Sequence, residues 1–285
     1  MRLRAPIAGI FCLAALAAGL LASGCGSSSV SGTLDPVAQA AEATTHSGGA
    51  HLAMNMTMTF DGHQAGFSGQ GTLDPSHREG QITMDMSALA GLSEGALPAG
   101  TTMTELFKGD SLYVGSSAFA GKLPGGARWM KVDLGKVAGK LGIDPQTLTS
   151  GESNPTDFLE QLDSVSGSVR QTGTATVRGV PTTVYTATID LAKTAEKAAQ
   201  GNSKVEQALK DVLGKTGLST VPVQVWVDSK HMVRKLQMQL DMSVSGQSTA
   251  MTVVEELFDF GPVPGVNAPS SSETYEPQLP GLGSL

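Results

Sequence analysis

Alternation of apolar and polar residues dominates the chain. Leu52, Met54, Met56, Met58 and Phe60 alternate with Ala53, Asn55, Thr57, Thr59 and Asp61. A period of two over this length predicts a strand with one buried face. Asp61-Gly62 is a turn signal. Phe67, Gly69, Gly71 and Leu73 then alternate with Ser68, Gln70 and Thr72 to complete a hairpin, which Asp74-Pro75 ends. Ile82, Met84 and Met86 alternate with Thr83 and Asp85. Residues 103–107 and 112–114 read as a hairpin turned at Gly109-Asp110, and 129–134 as a further short strand. The second half keeps the habit. A threonine-rich strand over 169–177 turns at Arg178-Gly179 into 183–191, with Tyr185, Ala187, Ile189 and Leu191 on one face. Val221, Val223, Val225 and Val227 turn around Asp228-Ser229-Lys230. The return arm sets Leu236, Met238, Leu240 and Met242 against Lys235, Gln237, Gln239 and Asp241, and 250–260 closes the series.

Helical spacing is rarer. Leu34, Val37, Ala38 and Ala41 fit a helix over 35–45 with Pro36 in its first turn. Leu134, Val137, Ala138 and Leu141 fit a short one. A third begins at Asn154-Pro155, with Phe158, Leu159, Leu162 and Val165 on one side. Residues 190–214 fit a helix pair broken at Gly201-Asn202, with a stripe of Val205, Ala208, Leu209, Val212 and Leu213. Strands in runs joined by tight turns, with helices between hairpins, predict an α+β fold. The expected architecture is a large curved antiparallel sheet of about ten or eleven strands. It forms an unclosed half-barrel whose concave face a few helices cover. No long linker divides the body, so 34–268 reads as one domain, and 269–285 as a disordered Pro/Ser/Gly tail.

The N-terminus reads as an address. Arg2 and Arg4 precede an uncharged, mostly apolar run over 7–22, too short to span a bilayer. Leu21-Ala22-Ser23-Gly24-Cys25 resembles a bacterial lipobox, with its usual Leu one place early. The expectation is a signal peptide over 1–24, an acylated Cys25, and a flexible Ser/Gly tether to residue 33. Processing removes both arginines and no acid, so the formal charge moves from −7 to −9. An acidic chain without a basic run argues against nucleic acid as a partner. Processing also removes Cys12 and leaves Cys25 alone; with Cys25 acylated no free thiol remains, which excludes an intramolecular disulfide, a thiolate zinc site and a cysteine nucleophile.

A resemblance can be placed on particular residues. After the lipobox, tether and first helix come Gly109-Asp110-Ser111-Leu112-Tyr113-Val114 and Trp129-Met130-Lys131-Val132-Asp133-Leu134. Then follow Thr183-Val184-Tyr185, Val223-Gln224-Val225-Trp226-Val227-Asp228 and Asp259-Phe260-Gly261. Over about residues 34–268 this order resembles the LolA-like lipoproteins of actinobacteria, the LppX/LprG group. The resemblance implies an unclosed antiparallel barrel with a helical lid around an apolar cavity. It implies binding or shuttling of acylated lipids or glycolipids through the envelope, with an envelope transport protein as partner. It brings no catalytic residues. This chain departs from the pattern in being poor in large aromatics.

Methionine changes the picture further. Of 12 methionines, Met54, Met56, Met58, Met84, Met86, Met238 and Met242 fall on inferred inward faces. Methionine lines adaptable apolar surfaces well. The candidate cavity wall is therefore Leu52, Met54, Met56, Met58, Phe60, Ile82, Met84, Met86, Val223, Val225, Leu236, Met238, Leu240 and Met242. The chain then reads as a lipoprotein on the outer face of the cell membrane that binds lipid or another acylated ligand. The alternative is a non-enzymatic interaction or structural lipoprotein with a filled core. Thioethers also suit Cu(I), and His51 and His63 flank the first strand. Yet methionines two apart on a strand lie about 6.6 Å apart, too far to share an ion, and His51 falls on the opposite face. No metal or cofactor is expected. No G-x-S-x-G, S-x-x-K, H-E-x-x-H, P-loop or G-x-G-x-x-G occurs. Glu255 and Glu256, adjacent on a strand, face opposite sides and cannot act as a carboxylate pair. No catalytic residue is assigned.

Overall fold

The alternating segments pair into one sheet in this computed structural model, which describes residues 36–60, 63–90, 98–141, 169–199, 201–244 and 247–277. The strands are β1 (Ala50–Phe60), β2 (His63–Asp74), β3 (Glu79–Asp85), β4 (Thr102–Lys108), β5 (Ser111–Ser116) and β6 (Trp129–Asp133), then β7 (Arg170–Val177), β8 (Val180–Asp190), β9 (Thr220–Asp228), β10 (Val233–Val244), β11 (Gln247–Phe258) and β12 (Thr274–Tyr275). The helices are α1 (Pro36–Thr45), α2 (Leu134–Leu141), α3 (Leu191–Ala199) and α4 (Ser203–Thr216), with one helical turn at Ser87–Ala90. The spatial order is β12-β6-β5-β4-β3-β2-β1-β11-β10-β9-β8-β7. β12 and β7 end the order unpaired with each other, so the sheet stays open. Every pairing is antiparallel except β12 on β6.

Two meanders, β1–β6 and β7–β11, meet where β1 pairs with β11 over the register His51↔Phe258 to Phe60↔Thr249. That non-local seam puts the methionines of β1 and those of β10 on either side of Val253 and Met251 of β11. Helices cover one end of the inner face. Val37, Ala40 and Ala41 of α1 pack with Ile189, Val221, Val223, Val225 and Leu236, and Leu213 of α4 packs against the same cluster. A buried threonine pins α1 to the sheet: Thr44 Oγ1 donates to the Ala40 carbonyl at 2.7 Å and accepts from the Val233 amide at 2.9 Å. The anticipated break at Gly201-Asn202 separates α3 from α4. The helix expected from Asn154 lies outside the described residues.

The opposite face is largely polar, apart from the apolar cluster that the C-terminal segment covers. Exposed Thr83 and Thr104 share a hydrogen bond at 3.1 Å. Arg178 donates to Glu256 at 2.7 Å and lies over Phe258, on which His51 stacks. Lys235 sits over Trp226.

The sheet has one strand more than the sequence suggested, and the C-terminal segment supplies it. Residues 269–277 are an ordered strap, not a loose tail, and 278–285 lie outside the described residues. Val266 is buried against Leu106 and Tyr113. Lys108 Nζ donates to the Val266 carbonyl at 2.6 Å and to Glu79 at 2.9 Å. The amide of Arg128 donates to the Glu273 carbonyl at 2.9 Å, β12 joins β6, and Lys136 donates to Glu276 at 2.7 Å. Proline and serine content hid these contacts because one buried valine and backbone hydrogen bonds hold the segment, not an apolar pattern.

Candidate functional site

Register decides which side chains share the inner face. Across β3, β2, β1, β11, β10, β9 and β8, one row of partners reads Met84, Gly69, Met54, Glu255, Leu236, Val225, Tyr185. The next row reads Phe67, Met56, Val253, Met238, Val223, Ala187. Beyond it lie Ala65, Met58, Met251 and Leu240. These residues alternate along their own strands, so all point to one side.

Burial divides this face. Leu52, Ile82, Met84 and Met86 are buried in one cluster with Phe67 and Leu257. Val223, Val225, Leu236 and Leu240 are buried in the cluster that α1 covers. Between them Met54, Met56, Met58, Met238 and Met242 are only half-buried. Five methionines thus form a contiguous, partly open apolar patch in the middle of a wide sheet. Phe60 holds the last register position of β1, opposite His63 and Thr249. Glycine shapes the wall beside the patch. A Cβ on Gly69 would lie 2.9 Å from Met84 Cγ, and one on Gly71 would lie 1.9 Å from the Gln81 carbonyl oxygen. The missing side chains let Ile82 and Met84 lean across β2.

Two carboxyls interrupt the apolar wall. Glu255 lies in register between Met54 and Leu236, with Val253 and Leu257 as its same-face neighbours on β11. Burial, with no cationic neighbour among the described residues, pushes its pKa up to about 7. Glu105 lies in register between Ile82 and Val114, and burial raises its pKa as well. Four strand spacings of about 4.8 Å separate the strands that carry them, so they do not act as a dyad. Glu256 points the other way, to Arg178, as the parity argument required. Sequence reasoning weighed Glu255 only as a pair with Glu256 and passed over Glu105, because neither lies in a strictly alternating run. The signal available was parity: Glu255 shares phase with Val253 and Leu257.

The chemistry of this face is that of a contact surface. No group of three or more His, Cys, Asp or Glu able to hold a metal ion occurs among the described residues. His51 stacks on the outer face, away from the methionines. No described helix is long and apolar enough to cross a membrane. A flexible thioether patch can adapt to hydrocarbon, and a protonated carboxyl within it can donate one hydrogen bond.

No family model matches the chain. It is 26% identical over 180 residues to an uncharacterized 31.2 kDa protein of the rplA-rplJ intergenic region of Streptomyces griseus. That match covers 62% of this chain and 57% of the relative, so it spans little more than half of that protein. Among solved structures the chain is similar to the lipoprotein LppX of Mycobacterium tuberculosis, at TM-score 0.46 and 14% identity, over 81% of this chain and 96% of that one. It is also similar to LprF from Mycobacterium bovis, at TM-score 0.38 and 14% identity, over 83% of this chain and 99% of that one. LppX is of the group that the sequence resembles; both likenesses are loose, and the fold stands on its own strand order.

Proposed function

We propose that this chain is a non-enzymatic envelope lipoprotein that binds lipid or another acylated hydrophobic ligand between its sheet and helices. The half-buried patch of Met54, Met56, Met58, Met238 and Met242 carries the reading. An apolar surface left partly open between two buried clusters of the same face marks a place where another apolar body sits. Laying a chain of about 15 CH₂ groups on it, at about 0.8 kcal/mol each, gives about 12 kcal/mol before ordering costs. That is enough to hold an acyl chain out of a membrane. The lipobox at Cys25 supports an anchor on the outer face of the cell membrane, with the Ser/Gly segment as tether. A carrier role, with loading and unloading by an envelope transport protein, follows from the same reading.

Native mass spectrometry of protein purified without denaturation tests it. Acyl species are expected to co-purify, and Met56→Arg and Met238→Arg, at half-buried positions, should lose them while staying folded. Leu240→Arg, at a buried position, should unfold and serves as the contrast. A ligand-free wild type whose Met56→Arg variant is as unfolded as Leu240→Arg favours the filled-core alternative and ends the proposal.

A further inference from the structure

A carboxyl is a costly thing to keep on an apolar wall. Glu255 has Met54 and Leu236 as its cross-strand neighbours and Val253 and Leu257 as its same-strand ones. No hydrogen bond or ion pair reaches it among the described residues. The inner-face positions of β1 and β9 hold no titratable group, and on β2 the one in phase is His63, at the far end of the strand opposite Phe60. On β8 the inner face offers Tyr185, three strand spacings away, at about 14 Å. On β10, Arg234 is committed to Asp228 at 2.7 Å and lies over Phe260. On the covering helices, Glu42 and His46 are exposed, Glu206 pairs with Lys210, Asp211 accepts from Gln207, and Lys215 is exposed. On α3, Lys193 faces Asp190, and Glu196 and Lys197 are exposed. The described residues thus supply Glu255 with nothing to bond.

Resting on the lipid-binding reading, we infer that Glu255 is the polar contact of the wall and selects uncharged amphiphiles bearing esters or hydroxyls over those with an anionic head. A hydrocarbon chain laid along Met54 and Met56 strips the remaining water from this carboxyl. The neutral form then donates its O–H to an ester carbonyl or hydroxyl oxygen of the ligand. An ionised form would sit desolvated with no donor, and an anionic phosphate would add like-charge repulsion. Glu105, also without a partner among the described residues and on the same face, repeats the arrangement for a second polar group further along. Because burial already favours the protonated form of Glu255 up to about pH 7, a neutral ligand binds with the proton in place.

The experiment uses the full chain and three probes sharing one fluorophore-labelled acyl or alkyl chain: a diacylglycerol, an alkyl phosphate and a plain alkane. Binding is titrated at several values between pH 6 and 8.5. Wild type should prefer the diacylglycerol, and its affinity should fall by about tenfold per pH unit above pH 7, one proton being held per ligand. Glu255→Gln, which keeps a neutral donor, should bind the diacylglycerol without that pH dependence. Glu255→Leu should bind the alkane but lose the preference for the ester. Equal affinity of wild type for ester and alkane, or the same pH dependence in Glu255→Gln, overturns the inference while leaving lipid binding intact. Failure of all three probes to bind wild type removes the lipid-binding reading and this inference with it.

Discussion

Replacing Glu255 with Gln removes a titrating carboxyl from the apolar face while keeping its size and a hydrogen-bond donor. In the folded chain its pKa rises from the ordinary 4.5 to about 7, through burial. Between those values the folded state holds a proton that the unfolded chain has released. The unfolded state therefore binds fewer protons, and stability falls as pH rises through this window. The gap between 4.5 and about 7, at 1.36 kcal/mol per pH unit, is worth about 3 kcal/mol. This is an upper value, because Glu255 is half-buried and solvent screens one side of it. Most of the loss falls between pH 5 and 8. Urea unfolding of wild type and Glu255→Gln at both pH values isolates the term, since every other titrating group is common to the two proteins. The variant should gain about 2–3 kcal/mol over wild type on going from pH 5 to 8, or about 4–12 °C in Tm. Glu105→Gln should move stability in the same direction. Stability curves for wild type and Glu255→Gln that run parallel across this range would refute the reasoning, because they would mean that the carboxyl is already charged and solvated.

Other perturbations probe the anchor, the strap and the turns. Cys25→Ser should move the protein from the membrane to the soluble fraction, checked by fractionation and by loss of the lipid mass. Asp228 is mostly buried, which opposes its charge, but it accepts from the Met232 and Lys230 amides and from Arg234, and together these hold its pKa below 3.8. Asp228→Asn should cost about 2 kcal/mol in chemical denaturation, and the wild-type contribution should vanish as pH falls through the lowered value. Lys108→Met removes the donor shared by Val266 and Glu79, and amide exchange should rise over 266–277 while β9 and β10 stay protected. Gly71→Val would drive a side chain into the Gln81 carbonyl, so it should lower stability by at least about 2 kcal/mol, read as a drop in Tm.

Much of the fold was legible because the strands alternate strictly. Period two told which of Met54, Met56, Met58, Met238 and Met242 share a side within each strand, and turn residues told where each hairpin folds. The break at Gly201-Asn202 and the short helix over 134–141 were readable for the same local reason. β12 was not, since two residues of backbone pairing leave no pattern. Nor was the ordered strap, held by Val266 and a shared lysine.

What the sequence alone determined is the set of faces: the phase of each strand, its polar and apolar sides, and an N-terminal segment that resembles an export and acylation signal. Local stereochemistry suffices for that, because side-chain direction follows the backbone residue by residue. The tertiary structure alone decided that β1 lies against β11, about 200 positions later, and in which register. That pairing puts Glu255 beside Met54 and joins two methionine stripes into one patch. It depends on non-local hydrogen bonding and on which side chains the helices cover, and no local period carries that information.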